Sequence, residues 1–136
     1  MASEQVFIDT SMFKALVDPK DEFYREANGI WEKLKNEESD LITTNFILDE
    51  TFTLIRIRCG RLLSLELRKR LAEGLRRIKI VRVLALDEKQ AWPWFELDWN
   101  GLSFTDCVSF AVMKRLGIVR AAAFDKHFFR AGFEPV

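Results

Sequence analysis

The sequence is poor in the residues from which disulfide scaffolds and most zinc sites are built. Among its 136 residues are one histidine, His127, and two cysteines, Cys59 and Cys107. Two cysteines far apart in sequence, without a CxxC-like pairing, exclude a disulfide framework and a thiolate metal cage. A single histidine excludes histidine-rich metal sites. Any bound metal would therefore have mostly oxygen ligands, which favours Mg²⁺ or Mn²⁺.

Long apolar runs are also missing. No stretch approaches the roughly 18 residues that a membrane-spanning helix needs. The N-terminal sequence MASEQVFIDT lacks the basic start and the apolar stretch of a signal peptide. We therefore expect a cytoplasmic protein. The length predicts one domain, over residues 1–136, that can bury a substantial core.

The net charge is zero, but the charges are unevenly distributed. Residues 56–82, called here the basic segment, contain ten basic and two acidic residues, so this segment has a charge of +8. Such a segment fits a protein that holds a phosphate backbone near a cation site. A solvated helix face and a surface for an acidic protein partner are the alternatives. If the partner is RNA, the expected contacts are Arg68, Arg76, Arg77 and Lys79.

Short apolar runs alternate with segments of helical periodicity. Strands are predicted over residues 6–8, 40–44, 78–84, 118–124 and 133–136. Helices are predicted over residues 11–17, 23–34, 45–57, 61–75 and 103–116, and over a segment around Trp92. Asn45 and Asp87 are the predicted N-caps of two of these helices, with Pro93 near the first turns of the second.

The order of the predicted elements indicates the fold class. Strands that are separated by helical segments of ten or more residues pair in parallel through crossover helices. The strands are continuous apolar runs, as expected for a sheet that is covered on both faces. We therefore predict a three-layer α/β/α sandwich with a central parallel sheet of four to five strands.

Three acidic residues fall near one predicted edge of this sheet. Asp9 directly follows the first strand and Asp125 directly follows the fourth, at the carboxyl ends where open parallel sheets bind ligands. Asp106 begins the helix over residues 103–116. Each also has a structural interpretation, because Asp is a good N-cap and Ser103 with Asp106 has the spacing of a capping box.

Glu50 has no capping explanation. On a helical wheel, four apolar residues fall within about 60° of it: Phe46, Ile47, Leu54 and Ile57. A carboxylate is therefore predicted within the apolar stripe of its own helix, whereas Asp49 faces the solvent side. Such a charge is costly unless it binds a metal or pairs with an arginine, and both remain open.

Taken together, the four acids predict a cation site. Clustered carboxylates raise each other's pKa, and a divalent cation relieves their repulsion. Mg²⁺ or Mn²⁺ can make hydroxide near neutral pH and stabilise charge on a phosphoryl oxygen, which suits phosphodiester hydrolysis. We expect Asp9, Asp106 and Asp125 to hold the metal, with Glu50 as the fourth catalytic acid.

Small polar residues flank these acids. Thr10, Ser11 and Thr105 are candidates for orienting the carboxylates or for contacting a phosphate. Ordinary turn and cap chemistry is the alternative explanation for all three.

These motifs resemble the PIN-domain family, particularly the VapC-like toxin ribonucleases of prokaryotic toxin–antitoxin pairs. The resemblance covers residues 6–133 and rests on FIDTS with Asp9, TNFILDET with Glu50, LSFTDCVSFAVMKRLGI with Asp106 and AAAFDKHFFRAGF with Asp125. It implies a five-stranded parallel sheet and cleavage of RNA that depends on Mg²⁺ or Mn²⁺. It also implies a homodimer and inhibition by a cognate antitoxin.

The resemblance assigns the acidic quartet to the same four residues. It also places His127 in an FD-x-HF pattern, where contact with substrate and simple packing are both open interpretations. One position departs from the family. Two residues before Asp125, where relatives more often have Thr or Ser, this chain has Ala123.

Two other functions fit parts of the pattern. A phosphoaspartate phosphatase would need D-x-D after the first strand, but this chain has Asp9 followed by Thr10 and Ser11. A PIN-like fold that serves only as an RNA- or protein-binding module is the second alternative. The presence of all four acids argues against it, and a Mn²⁺ titration of melting temperature and RNA cleavage would separate the two.

Overall fold

A computed structural model of the chain describes residues 4–74 and 78–136. Arg76 and Arg77, two of the residues predicted to bind RNA, lie outside these ranges. No helix in the described ranges is both long enough and apolar enough to cross a membrane.

One parallel sheet organises the described chain. Its strands are β1 (Gln5–Ile8), β2 (Asp40–Thr44), β3 (Ile78–Val81), β4 (Arg120–Ala122) and β5 (Glu134–Pro135). The order is β3-β2-β1-β4-β5, and every neighbouring pair is parallel. The helices are α1 (Thr10–Val17), α2 (Tyr24–Asn36), α3 (Asn45–Cys59), α4 (Arg61–Gly74), α5 (Ala85–Phe95), α6 (Phe104–Leu116) and α7 (Lys126–Arg130). The predicted α/β class with a central parallel sheet is confirmed.

The connections separate the helices into two groups. From β1 the sheet first grows through β2 to β3, and the helices of these crossovers pack together, since α1 contacts α2, α3 and α4. The chain then returns to the other side of β1 to add β4 and β5, and α6 contacts α5 and α7. Because parallel crossovers are right-handed, reversing the direction of growth places the second group on the opposite face.

The central strand lies at the core of the molecule. Val6, Phe7 and Ile8 have no exposed surface, which explains why the sequence of β1 is a continuous apolar run. Phe110 of α6 packs edge-on against Phe128 of α7, with ring centroids 5.0 Å apart. The Phe128 ring also stacks on Phe7 of β1, with centroids 6.2 Å apart, so α7 is held between α6 and β1.

Two predicted helix caps are wrong by one to three residues. The N-cap of α3 is Thr44, whose hydroxyl accepts a hydrogen bond from the Ile47 N–H at 3.1 Å. Asn45 instead accepts a hydrogen bond from the Val83 N–H at 2.9 Å, which ties α3 to the chain after β3. Both side chains suit a cap, and the buried end of β2 selects the threonine.

The helix around Trp92 begins earlier than predicted, at Ala85. Asp87 is therefore not its N-cap but lies within the first turn, where its carboxylate accepts a hydrogen bond from the Leu84 N–H at 2.8 Å. Pro93 consequently lies in the last turn and not near the first turns. Because proline has no backbone N–H, Pro93 removes one helical hydrogen bond, and in the last turn this loss lies close to the end of the helix.

Three strands are shorter than predicted, among them the fifth, which covers Glu134–Pro135 instead of residues 133–136. The third ends at Val81 instead of residue 84, and the fourth covers only Arg120–Ala122 instead of residues 118–124. The apolar runs continue beyond the paired residues because side chains such as Val83 and Phe124 still pack against the core. Apolar composition reports burial, and it does not by itself separate a strand from a packed loop.

A buried ion pair joins α5 to α6. The Arg115 guanidinium donates two hydrogen bonds to Asp87, at 2.8 and 2.9 Å, and the Asp87 residue is 1% exposed. Burial alone would raise the pKa of Asp87. The hydrogen bonds from Arg115 and from the Leu84 N–H outweigh it and hold that pKa below its usual value.

Removing one partner of this pair should destabilise the fold strongly. We expect Arg115→Ala to lower the free energy of unfolding by about 3 kcal/mol, because the buried Asp87 carboxylate loses its counter-charge. Glu4, which pairs with Arg120 at the surface, provides the control, and Glu4→Ala should cost less than about 1 kcal/mol. Urea unfolding measures both, and equal losses would contradict this account of the α5–α6 contact.

Candidate metal centre

A cavity of about 600 Å³ opens at the carboxyl ends of β1 and β4. These two strands are the point at which the direction of sheet growth reverses, where open parallel sheets leave a crevice. The structure brings all four predicted acids into the lining of this cavity: Asp9, Glu50, Asp106 and Asp125. They come from four different helices or helix caps, so the fold, and not local sequence, places them together.

Asp9 is the N-cap of α1 and is 2% exposed. Its Oδ2 accepts two hydrogen bonds from Ser11, at 3.1 Å from the N–H and 2.6 Å from the hydroxyl. The same hydroxyl accepts a hydrogen bond from the Phe124 N–H at 2.9 Å. Ser11 therefore connects the end of β1 to the loop after β4. The second oxygen of Asp9, Oδ1, is buried without a hydrogen-bond partner in the described structure.

Asp106 combines a structural role with a place in the cavity. Its Oδ2 accepts a hydrogen bond from the Ser103 N–H at 3.2 Å, and the Ser103 hydroxyl accepts one from the Asp106 N–H at 3.0 Å. The capping box considered from the sequence is therefore present. It engages one carboxylate oxygen of Asp106, so capping and participation in the cavity are compatible.

Asp125 is the N-cap of α7, and its Oδ1 accepts a hydrogen bond from the His127 N–H at 2.9 Å. The His127 ring lies behind the acids. Its Nδ1 is 2.8 Å from Oδ1 of Asp125 and 3.8 Å from Oδ2 of Asp106. One side-chain atom from each of these three residues lies within 4.8 Å of the other two, a spacing that suits a shared cation.

Glu50 is less buried than predicted. The buried face of α3 is formed by Ile47, Thr51 and Ile55, whereas Ile57 is 77% exposed. The predicted apolar stripe was therefore displaced by about one residue around the helix, and Glu50 lies half-buried at its margin. The alternative that Glu50 pairs with an arginine finds no support among the described residues. Asp49 is exposed, as predicted.

Of the two threonines that flank the acids in sequence, Thr10 lines the cavity and Thr105 does not. The Thr10 hydroxyl lies 3.0 Å from the Thr51 hydroxyl and joins α1 to α3, although Thr10 also contributes to the cavity lining. Thr105 is not among the lining residues, and its carbonyl accepts a hydrogen bond from the Ser109 hydroxyl. The helical rotation of about 100° per residue turns its side chain away from that of Asp106.

The sequence reasoning missed the cavity wall formed by the end of α1 and the loop that follows it. Lys14 lines the cavity, and its ammonium lies 3.1 Å from Asp18 and 2.8 Å from Asp21. Lys20 and Phe23 lie on the same wall. A signal was available, because Lys14 is four residues after Thr10 and therefore on the same helix face.

The basic segment begins close to this wall. A second cavity of about 250 Å³ is lined by Arg58 and also by Lys20, which lines the acidic cavity as well. Of the residues predicted to bind RNA, Arg68 and Lys79 are exposed. Arg70 has a structural contact, because its guanidinium donates to the Leu16 carbonyl at 3.0 Å.

The environment of the cavity disfavours the charged form of two of its acids, Asp9 and Asp106. Burial raises the pKa of Asp9 to about 6, with smaller contributions from Asp125 and Glu50, against the two hydrogen bonds from Ser11. Burial and the charges of Asp9 and Asp125 raise the pKa of Asp106 to about 8. A divalent cation would relieve this repulsion, and the unpartnered Oδ1 of Asp9 is an oxygen that it could bind. The residues present therefore fit a hard cation.

Comparison with known proteins agrees with this geometry. The family model described as "PIN domain" matches residues 6–134. The 23S rRNA-specific endonuclease VapC20 of Mycobacterium tuberculosis is 37% identical over 135 residues, which covers 96% of this chain and 97% of the relative. A crystal structure of that protein, described as a Sarcin-Ricin loop cleaving toxin, superposes with a TM-score of 0.84 and 34% identity, covering 96% and 98% of the two chains.

Two more distant structures share the fold. FitAcB from Neisseria gonorrhoeae matches with a TM-score of 0.65 and 16% identity, over 96% of this chain and 95% of the other. PAE2754 from Pyrobaculum aerophilum matches with a TM-score of 0.63 and 20% identity, over 100% and 91%. At these identities the likeness concerns the fold alone.

The charge repulsion in the cavity predicts a pH-dependent stability without metal. Because the pKa of Asp106 is raised to about 8 from 3.8, the folded protein retains a proton between these values that the unfolded chain loses. This contribution makes the fold less stable as pH rises through that window. Asp106→Asn removes it, and the amide oxygen can still accept the hydrogen bond from the Ser103 N–H.

We therefore expect Asp106→Asn to be more stable than the wild type by about 1–3 kcal/mol near pH 8 in EDTA, and nearly equal to it near pH 4. Urea unfolding across this range measures the difference. A difference that does not change with pH would contradict the raised pKa.

Proposed function

The chain belongs to the PIN-domain family, and we propose that it is a metal-dependent endoribonuclease. The observation that supports this best is the convergence of four carboxylates in one cavity at the carboxyl ends of β1 and β4. None of the four forms an ion pair with a lysine or arginine within residues 4–74 and 78–136. A cluster of this kind is suited to a cation and poorly suited to a purely structural role.

The proposed substrate is RNA, and ribosomal RNA in particular. This rests on the relative named 23S rRNA-specific endonuclease, which is 37% identical over 96% of the chain. Because that relative is described as a toxin, we further propose that this chain is the toxin of a toxin–antitoxin pair. Its partners would be a cognate antitoxin and a second copy of the chain. Both partners and the RNA would be met in the cytoplasm.

Exposed apolar side chains offer a surface for such protein partners. Ile57 of α3 is 77% exposed and Leu62 of α4 is 72% exposed. Large apolar side chains that lie close in sequence and remain exposed are typical of interaction surfaces. This exposed apolar surface supports the proposal that the chain binds a protein partner, either a second copy of itself or an antitoxin.

The proposed chemistry distributes roles among the acids. Mg²⁺ or Mn²⁺, held by Asp9, Asp106 and Asp125, would supply hydroxide near neutral pH and stabilise charge on the phosphoryl oxygen. Ser11 fixes one oxygen of Asp9 by its two hydrogen bonds and so leaves the other, Oδ1, available to hold an ion. Glu50, half-buried on the facing wall and without an ion-pair partner in the described structure, accepts a proton from the attacking water at its carboxylate.

The basic side chains would guide the RNA backbone. Lys20 lines both the acidic cavity and the neighbouring cavity that Arg58 lines, so positive charge continues outward from the site. Arg68 and Lys79 are exposed on α4 and β3. Phosphate contacts from such residues supply affinity and position without reading sequence.

Loss of the acids tests the catalytic proposal. We expect Asp9→Asn and Asp106→Asn each to lower Mn²⁺-dependent RNA cleavage by at least about 100-fold, because each removes a charged ligand from the site. Asp49→Asn is the matched control, since Asp49 adjoins Glu50 but is exposed, and it should retain full activity. Gel-based cleavage assays on ribosomal RNA measure all three. Full activity in both site variants would show that cleavage does not depend on these acids and would overturn the proposed metal centre.

The salt dependence of RNA binding tests the basic surface. In an Asp9→Asn background, which prevents cleavage, Arg68→Ala with Lys79→Ala should weaken binding without changing sequence preference. The slope of log affinity against log salt should fall by about 1 to 2, since each lost phosphate contact removes close to one released counterion. Filter binding between low and physiological salt measures the slope, and an unchanged slope would exclude these residues from the RNA path.

A further inference from the structure

We infer that His127 supplies a nitrogen ligand to the bound cation through its Nδ1, so that the centre prefers Mn²⁺ to Mg²⁺. This inference rests on the proposed metal centre and adds to it a residue outside the acidic quartet. The starting observation is a buried polar atom without a partner. His127 is 6% exposed, and its Nδ1 makes no hydrogen bond in the described structure.

The other ring nitrogen determines the protonation of Nδ1. Nε2 lies 2.9 Å from the backbone carbonyl oxygen of Asn100. A carbonyl oxygen only accepts hydrogen bonds, so Nε2 carries the proton. In the neutral ring Nδ1 is then a bare acceptor. A metal-bound histidine usually has this arrangement, with its second N–H donated to a carbonyl or carboxylate that holds the ring in place.

The position of Nδ1 among the acids requires a positive charge. It lies 2.8 Å from Oδ1 of Asp125 without forming a hydrogen bond, and 3.8 Å from Oδ2 of Asp106. Two acceptors at this distance repel each other unless a proton or a cation neutralises them. Because Nδ1 has no hydrogen-bond partner in the described structure and its ring proton is assigned to Nε2, we assign this place to the cation.

The spacing suits an octahedral ion. Bonds of about 2.1 Å separate neighbouring ligands by about 3.0 Å and opposite ligands by about 4.2 Å. The distances from Nδ1 to the two carboxylates, 2.8 and 3.8 Å, fall close to this range. The three side-chain atoms therefore form a compact group, and Asp9 lines the same cavity as the two aspartates of this group.

The ring is also held rigidly. The Trp99 ring lies parallel to it, with an interplanar angle of 8° and centroids 6.2 Å apart. The Arg130 guanidinium covers Trp99 at 4.5 Å from the ring centroid. Together with the hydrogen bond to Asn100, these contacts keep Nδ1 directed at the acids before any ion binds. A preorganised ligand loses less entropy on binding.

A nitrogen donor changes which ion the site prefers. Imidazole suits transition-metal ions, whereas carboxylate and water ligands suit Mg²⁺, and Mn²⁺ accepts both. A centre with Asp9, Asp106, Asp125 and His127 should therefore bind Mn²⁺ more tightly than an all-carboxylate centre, with a smaller gain for Mg²⁺.

Pulsed electron paramagnetic resonance of Mn²⁺ bound to the wild-type protein tests the inference directly. Because His127 is the sole histidine of the sequence, a protein purified without a histidine tag has one possible source of imidazole nitrogen coupling. We expect the ¹⁴N modulation of a directly coordinated imidazole, replaced by a ¹⁵N signal after labelling with ¹⁵N-histidine. Bound Mn²⁺ without nitrogen coupling would overturn this inference and leave the acidic metal centre standing. Absence of any bound Mn²⁺ would overturn both.

The metal affinities of a His127 variant provide a second test of the inference. His127→Gln should lower Mn²⁺ affinity by about tenfold or more, and Mg²⁺ affinity by clearly less, as measured by calorimetry on protein whose folding is checked by circular dichroism. Asp49→Asn is the matched control and should change neither affinity. Equal losses for the two ions would show that His127 acts only through packing and would overturn its assignment as a ligand.

Discussion

The mutual repulsion of carboxylates at the carboxyl ends of β1 and β4 is the physical constraint that governs this site. The fold brings Asp9 and Asp106 out of water beside two further acids, and the pKa of each is raised as a result. Several structural devices hold them there despite this repulsion. Ser11 clamps Asp9, a capping box holds Asp106, and Asp125 caps α7. Each of these three aspartates is thus anchored by one oxygen or one cap. Since none of the four acids forms an ion pair with a lysine or arginine in the described ranges, a divalent cation would supply the compensating positive charge.

One carboxylate can both cap a helix and line the cavity, so a capping role and a proposed catalytic role do not exclude each other in this chain. A carboxylate has two oxygens, and a cap hydrogen bond engages one of them. Asp9 shows this most clearly, with Oδ2 bound to Ser11 and Oδ1 buried without a partner in the described ranges. For Asp9 and Asp106 the capping interpretation is confirmed, and because both also line the cavity, it is compatible with the proposed role in a metal site. A helix N-terminus that caps itself with a carboxylate also presents that carboxylate at the sheet edge.

Much of the fold was predictable because local patterns and topology agree. Strand β2 was predicted with its observed bounds, and the fold class follows from the alternation of apolar runs with helical segments. The errors have local causes. Thr44 and Asn45 both suit a cap, and burial decided between them. The apolar run after β3 packs as a loop. For the site, Asp9 and Asp125 could be placed from strand ends, and the helical spacing of Lys14 from Thr10 was a signal that was missed. The approach of His127 to Asp106 depends on tertiary packing, which this spacing does not encode. Glu50 was singled out for its apolar neighbours, yet it lies at the margin of the buried face and lines the cavity from there.

The most direct test of the account is to incubate the purified protein with total RNA, with and without Mn²⁺, and to map the new RNA ends. If the acidic cluster is a cation-dependent hydrolytic centre, discrete new ends will appear in ribosomal RNA only when Mn²⁺ is present. Cleavage that is identical in EDTA, or no cleavage in Mn²⁺, would contradict the central claim that this cavity performs metal-dependent phosphodiester hydrolysis.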